Sequence, residues 1–382
     1  MIYFDNNATT RIAPEVFDAM KPFLTEFYGN PSSAYESGRE TRRTIENSRR
    51  KVAELLGAGD EREIVFTSGG TESDNWAILG ALEAASDKKH VVTTGVEHEA
   101  VRKLCEKLEK KGFEITWLEV SGEGFLDLSE LKNALRKDTA VVSVMLANNE
   151  TGILFPVEEI ARIVKENSDA LFHVDGVNAV GKIPVDLKNT AIDLFSVSGH
   201  KFHAPKGVGA LYIKNGVRLP SIYIGGGQEN GRRAGTEAAH QIVALGAAAE
   251  LVEDLSAMKT VRALRDKLED GILRKISNSH LNGTSDREKR LPNTSSIAFP
   301  NLNGELILAK LNDASVSVST GSACNAENHT ASAVLQAMNV PYSAAMGAIR
   351  FSLGRYNIEK EVDFVLEILP EIVGEAAEFS QN

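Results

Sequence analysis

The sequence predicts an α/β protein: a large domain on a mostly parallel seven-stranded sheet, followed by a smaller α+β domain. Three observations carry that expectation. Seven short runs, at residues 63–66, 91–96, 114–120, 140–148, 170–176, 193–199 and 208–213, are mostly apolar on both sides, as strands buried on both faces must be. Helical periodicity fills several gaps between them, the alternation of parallel strands joined by crossovers. From about Pro292 the style changes to short strands and helices in a different rhythm.

Taken in order, residues 13–27 place Phe17, Met20, Leu24 and Phe27 on one helical face, and GNPSS at 29–33 is a loop. An arginine-rich helix then runs to Leu56 and stops at Gly57, a common residue past a helix end. Residues 63–85 read as strand, glycine turn and helix. Asp127 with Glu130 forms a capping pair for a helix at 127–136, and a further helix covers 156–167. After Glu237 a long helical pattern leads away from the sheet. The last part offers a strand at 295–300, a helix at 304–311, a strand at 314–321, a helix near 331–338, a strand at 348–354 and a final helix from Ile358. Repeats, low-complexity tracts and a Pro/Ser-rich linker are absent from the sequence, so the two domains are expected to pack together.

A chain of 382 residues is long for one core and suits two. Its net charge of −11, from 53 acids against 42 bases, argues against general nucleic-acid or anionic-membrane binding. The two cysteines, Cys105 and Cys324, form no CxxC, so neither a disulfide framework nor a cysteine zinc site is expected. The start, MIYFDNNATT, has neither a basic leader nor an apolar segment, and no apolar run reaches spanning length; the expected location is cytoplasmic.

Chemistry concentrates at strand ends. Lys201 lies between two strand candidates, in Ser196–Gly209, among Ser198, Gly199, His200, Phe202 and His203. A lysine between strands is ordinarily a solvated loop residue. Here small and hydroxyl neighbours let a backbone approach a ligand. A lysine held neutral in such a pocket can form a Schiff base with a carbonyl cofactor. TSGGTESDN, at Thr67–Asn75, sits between strand and helix, and offers helix-terminal amides and hydroxyls to an anion. Read blandly it is a polar βα turn. Asp175 ends a strand, where α/β proteins bind ligands; it can cap a helix or pair with a protonated ring nitrogen. His98, Asn148 and Asn149 follow other strands toward the same edge.

Three tempting motifs fail. Gly176, Gly181 and Lys182 satisfy GxxxxGK, but Ile183 replaces the magnesium-binding Ser/Thr and Pro184 follows where a helix should start. The glycines of residues 225–238 lack dinucleotide-fingerprint spacing, leaving an interface or a phosphate as their use. His200 and His203 have no acidic or cysteine ligand at a matching interval, so no metal is expected. Cys105 sits among helical apolar positions and reads as core. Cys324 sits in the small, polar STGSACN with His329 nearby, where it is either an inert thiol or a nucleophile. Arg350 lies in an apolar run and needs an anionic partner, a substrate carboxylate being one candidate.

Together FDNNATT, TSGGTESDN, EHEA, ANNETG, HVDGVNAVGK, SVSGHKFHAPKGVG, GGGQENGRRAGTEA, STGSACN and AIRFSLGRYN resemble, in order and spacing, the group I (NifS/IscS-type) cysteine desulfurases. The resemblance spans nearly the whole chain. It implies fold-type I of the pyridoxal-phosphate enzymes, a homodimer, and conversion of L-cysteine to L-alanine with sulfur kept as a protein persulfide. The large domain is then expected at residues 14–257 and the small one at 1–13 with 258–382. Lys201 resembles the lysine bonded to the cofactor, Asp175 the acid holding the pyridine nitrogen protonated, and His98 the histidine that stacks on the ring and moves protons. Gly70, Thr71, Ser198 and His200 resemble phosphate ligands, with Thr236 reaching the phosphate from the other subunit. Asn149 and Arg350 resemble the substrate-carboxylate contacts, and Cys324 the sulfur acceptor. One position departs: Asn178 stands where the family usually has glutamine beside the cofactor's phenolic oxygen. Sulfur would pass to acceptor proteins such as an iron–sulfur scaffold, or toward tRNA thiolation. The alternatives are a related selenocysteine lyase or cystine C–S lyase, and a cofactor-free sulfur relay using Cys324 alone.

Overall fold

The structure is a computed structural model that describes residues 1–320 and 330–381, with side chains described to residue 379. Its strands are β1 (Ile2–Tyr3), β2 (Ile64–Thr67), β3 (His90–Thr94), β4 (Glu114–Leu118), β5 (Thr139–Ser143), β6 (Leu171–Asp175) and β7 (Leu194–Ser198). They continue with β8 (Gly209–Ile213), β9 (His280–Leu281), β10 (Thr294–Ala298), β11 (Val316–Ser317), β12 (Ser319–Thr320) and β13 (Ala348–Ser352). Seven of them form one sheet in the order β2-β8-β7-β6-β5-β3-β4. Every pairing from β7 to β4 is parallel. β8 runs antiparallel to both β7 and β2. All seven expected strands are therefore present, and the mostly parallel sheet is as expected.

The strand ends matter most. Parallel β3, β5, β6 and β7 all release their chains at one edge of the sheet. β2 shares their direction, because two antiparallel pairings separate it from β7. Residues following Thr67, Thr94, Ser143, Asp175 and Ser198 therefore converge.

A large apolar core runs under this sheet from Ala13 to Ala348. A second core combines Phe4 with side chains between Val261 and Ala376, beneath the antiparallel sheet β12-β13-β10-β9. The chain's start is tied to this second unit, since β1 pairs in parallel with β11 and Asp5 bridges Ser352. The segment from residue 331 onward faces both ways. Val334, Leu335 and Met338 join the first core, while Ile349 and Phe351 of β13 join the second.

The first expected helix is divided. α1 (Pro14–Met20) ends at Lys21, and α2 (Pro22–Thr25) begins at the proline, which has no amide hydrogen to continue the ladder. Phe17 and Leu24 are 47% and 50% exposed; Ala13 and Val16 reach the core instead. Of the expected apolar face Met20 packs on the core, while Phe17 and Leu24 do not. α3 (Glu36–Leu55) ends as its sequence indicates, with Gly57 at φ +56°. α4 (Gly70–Ala84) and α5 (Glu99–Glu109) follow β2 and β3, and their first turns lie at the convergent edge.

Candidate active site

One cleft of about 370 Å³ lies at that edge. Gly70, Thr71, His98, Asn149, Asp175, Asn178, Ser198, His200, Lys201 and Arg350 all line it, so ten positions marked out in the sequence meet in space. Thr236 does not: it is exposed and lines a separate shallow depression with Tyr223 and Arg233. Cys324 lies outside the described residues.

The cleft's anion end is the start of α4. Gly69 adopts φ +148°, a conformation side chains rarely allow, and a Cβ on Gly209 would stand 2.7 Å from its Cα. The turn therefore runs directly against β8. Thr67 and Ser73 share a 2.8 Å hydroxyl contact, and Ser73 donates to the Gly69 and Ala210 carbonyls. α4 has no side-chain cap. Glu72, which could have served, instead accepts from the Ser68 amide and pairs with Arg233 at 2.9 Å. Its carboxyl is consequently held below its ordinary range, despite burial acting the other way. The first amides of α4 stay available beside Ser198 and His200. Burial, with the nearby Lys201 charge, lowers His200 to about 4, leaving a neutral ring whose Nδ1 lies 3.1 Å from Thr9 Oγ1.

Asp175 marks the opposite requirement. It ends β6, is buried, and accepts from the Val177 amide at 2.9 Å. Burial raises its pKa, and neighbouring His98 opposes that rise. A buried carboxylate so placed gains from a cationic partner. Two more acids lie around it. Asp74 is driven well above the ordinary carboxyl range by burial and by Asp175. Glu97 is pushed up to about 8 by the same two causes. His173, held near 3 by burial, bridges Ser143 and Ser196 at 2.9 Å behind the sheet edge.

His98 caps α5, its Nδ1 accepting from the Ala100 amide at 3.1 Å. That contact places the proton on Nε2 in the neutral ring. Burial is the main cause holding its pKa below the ordinary histidine value.

Lys201 closes the short turn after β7, and its Nζ donates to the Asn7 carbonyl at 2.6 Å and the Ala8 carbonyl at 3.1 Å. The N-terminal segment thus forms one wall of the cleft, a role the sequence reading did not assign to it. The density of Asn and Thr in FDNNATT, outside any helix, was the available signal. Arg350, on β13, donates from Nη1 to the Asn149 carbonyl at 3.0 Å and from Nη2 to Asp5 at 2.7 Å. Its Nε and the Asn149 Oδ1 are buried without a partner among the described residues. Unsatisfied polar atoms on two residues that line one cleft mark a place for a polar ligand. Glu150 at the same wall accepts from Ser332 Oγ, and burial pushes its carboxyl up to about 7.

The sequence from residue 2 to 365 matches the aminotransferase class-V model, almost the full chain. The chain belongs to the aminotransferase class-V family. Among its relatives, a protein named cysteine desulfurase from Trichormus azollae is 52% identical over 375 residues, covering 98% of this chain and 93% of that one. A solved NifS-like protein superposes with a TM-score of 0.91 at 41% identity, covering 98% and 99% of the two chains. SspA, solved in complex with cysteine, reaches a TM-score of 0.82 at 32% identity, covering 94% and 100%. Family members use pyridoxal phosphate, and the cleft suits that group. It offers an uncapped helix start for a phosphate, a buried carboxylate for a ring nitrogen and a lysine amine between them.

Proposed function

We propose that the protein is a pyridoxal-phosphate-dependent cysteine desulfurase that works as a homodimer and passes sulfur from L-cysteine through Cys324 to acceptor proteins. The observation that carries this reading is the meeting of Lys201, Asp175 and the uncapped start of α4 in one cleft. The roughly 50% identity to proteins named cysteine desulfurase narrows the class.

In this reading the Gly70 and Thr71 amides, Ser198 and His200 would hold the phosphate, and Asp175 would keep the ring nitrogen protonated. Thr236 would reach the phosphate of the second copy. When bound, the cofactor supplies an electron sink for charge left on the substrate's Cα. Arg350 and Asn149 hold the substrate carboxylate, fixing which Cα bond faces Lys201 Nζ, the group that takes the α-proton. His98, neutral with its proton on Nε2, would lie over the ring and present an N–H hydrogen-bond donor there. The Cys324 thiolate then attacks the substrate sulfur. An S–S bond forms as the C–S bond breaks; the β-carbon keeps that electron pair and becomes the methyl of L-alanine on gaining a proton, and Lys201 returns a proton to Cα. The products are L-alanine and a Cys324 persulfide, with no external oxidant or reductant required.

Incubation of the holoenzyme with L-cysteine, followed by peptide mass spectrometry, tests the reading. One added sulfur atom on Cys324, lost in Cys324→Ala together with alanine formation, is expected. Alanine formation undiminished in Cys324→Ala would instead identify a lyase that needs no acceptor thiol. A Lys201→Ala variant that still shows a borohydride-sensitive visible band would refute the assignment of the lysine.

A further inference from the structure

The failed P-loop lysine has a use. Lys182 is buried, and its amine donates to Asn178 Oδ1 at 3.3 Å and Asn7 Oδ1 at 3.0 Å. Residues 176–183 form successive tight turns, with amides of Val180 and Ile183 reaching the carbonyls four residues back. Positions 178 and 182 therefore fall on one side, as neighbours one helical turn apart. Asn7 is the residue whose backbone carbonyl accepts from Lys201, and whose side-chain amide donates to the Asn149 carbonyl and to Thr294. Its Oδ1 also accepts from Asn293, so the side chain is anchored from both ends. Through two asparagines, one buried amine touches the cofactor wall and the lysine wall together.

The Lys182 amine donates to the oxygen of the Asn178 amide, which turns the Nδ2 donor away from it, and Asn178 lines the cleft. We infer that Lys182 is a positioning residue: it orients Asn178 so that an N–H faces the cofactor's phenolic oxygen, and it braces Asn7 beneath Lys201. The inference rests on the proposed pyridoxal-phosphate chemistry. It also explains how a side chain shorter than glutamine serves at position 178, since the amine pins it from behind. Burial, and after it the cations Lys201 and Arg350, push the Lys182 pKa far down, so the amine serves as a hydrogen-bond donor and not as a fixed charge. His200 and His203 lie near it.

The test is the visible spectrum of the holoenzyme against pH in wild type, Lys182→Met, Asn178→Ala and the double variant. A donor to the phenolic oxygen favours its anionic form. Loss of that donor, or of the group that aims it, moves the midpoint of the cofactor's absorption change upward. One hydrogen bond corresponds to an upward shift of about 0.5–1 unit and about 3–10-fold weaker cofactor retention. Lys182→Met and Asn178→Ala should each show the rise, and the double variant should exceed Asn178→Ala by less than the full Lys182→Met effect. Lys182→Gln, which keeps an N–H but lacks the reach, is the second variant and should rise as well. An unmoved midpoint in either folded Lys182 variant, full additivity, or failure of both to fold overturns the assignment. Wild-type protein that shows no visible band with pyridoxal phosphate refutes the proposed function itself; a normal wild-type band unmoved in the variants refutes only the role of Lys182.

Discussion

Replacing Arg350 with methionine probes the carboxylate clamp. The guanidinium is fixed before substrate arrives: its side chain is 9% exposed, its Cα lies opposite Ser296 and Ser319 in neighbouring strands, and two of its nitrogens are committed. Nε makes no hydrogen bond among the described residues, and neither does the Asn149 Oδ1. A substrate carboxylate arriving there gains at least one charge-assisted bond, about 1.5–3 kcal/mol, with little side-chain entropy left to lose. Methionine keeps much of the volume but removes the fork. Asp5 then loses its partner, yet at 18% exposure it retains access to water, so the stability cost should stay near 1–2 kcal/mol rather than the roughly 3–5 of a fully buried pair. The expected result is kcat/KM for L-cysteine lower by about 10–100-fold in Arg350→Met, with a smaller loss in Arg350→Lys, which keeps charge without planarity. The assay compares sulfide release, under a thiol reductant, from L-cysteine and from cysteamine, which lacks the carboxylate. Wild type should prefer L-cysteine, and the preference should collapse in the variant while cysteamine turnover holds. Equal losses on both substrates would show that Arg350 supports the fold of the cleft and binds no carboxylate.

Two further outcomes follow from the histidine and the buried acids. His98 is neutral at pH 7 because burial holds its pKa below the ordinary 6.5 or so, so protonation on its account should reduce kcat/KM only at more acid pH. His98→Gln should remove that acid limb and lower kcat by about 10²–10⁴-fold; a limb that survives the substitution belongs to another group. Glu97 has a folded-state pKa near 8, above its unfolded value of about 4.3. Between those values the folded chain holds a proton that the unfolded chain has released. Stability on this account is full at low pH and declines as pH rises toward 8, by roughly 5 kcal/mol at most. Glu97→Gln carries no such proton, so its melting temperature should gain on wild type from pH 5 to 8 and then level off. A difference independent of pH would place the Glu97 proton elsewhere.

What the sequence made legible, and what it hid, divides along physical lines. Six of the seven strands were readable because strands buried on both faces must be apolar throughout, the edge strand β4 being more exposed, and most of the site residues because they sit at strand ends, in loops rich in Gly, Ser and Asn. The break at Pro22 was written in the sequence too, but a plausible apolar periodicity outweighed it, and Phe17 and Leu24 face outward. Backbone chemistry was hidden: Lys201 is held by the carbonyls of Asn7 and Ala8, and every residue type carries a carbonyl. Burial of acids was hidden as well. Asp74 and Glu97 stand inside recognisable motifs, yet a carboxylate is ordinarily solvated, and only packing reveals that both press on Asp175. Lys182 is the sharpest case. It was set aside because a nucleotide loop needs a hydroxyl at Ile183 and a helix at Pro184. The Ile183 amide instead closes a turn on the Ala179 carbonyl, and the Lys182 amine reaches inward to Asn178 and Asn7. A motif that fails for one ligand still encodes geometry, and here that geometry delivers a hydrogen-bond donor to the site from behind.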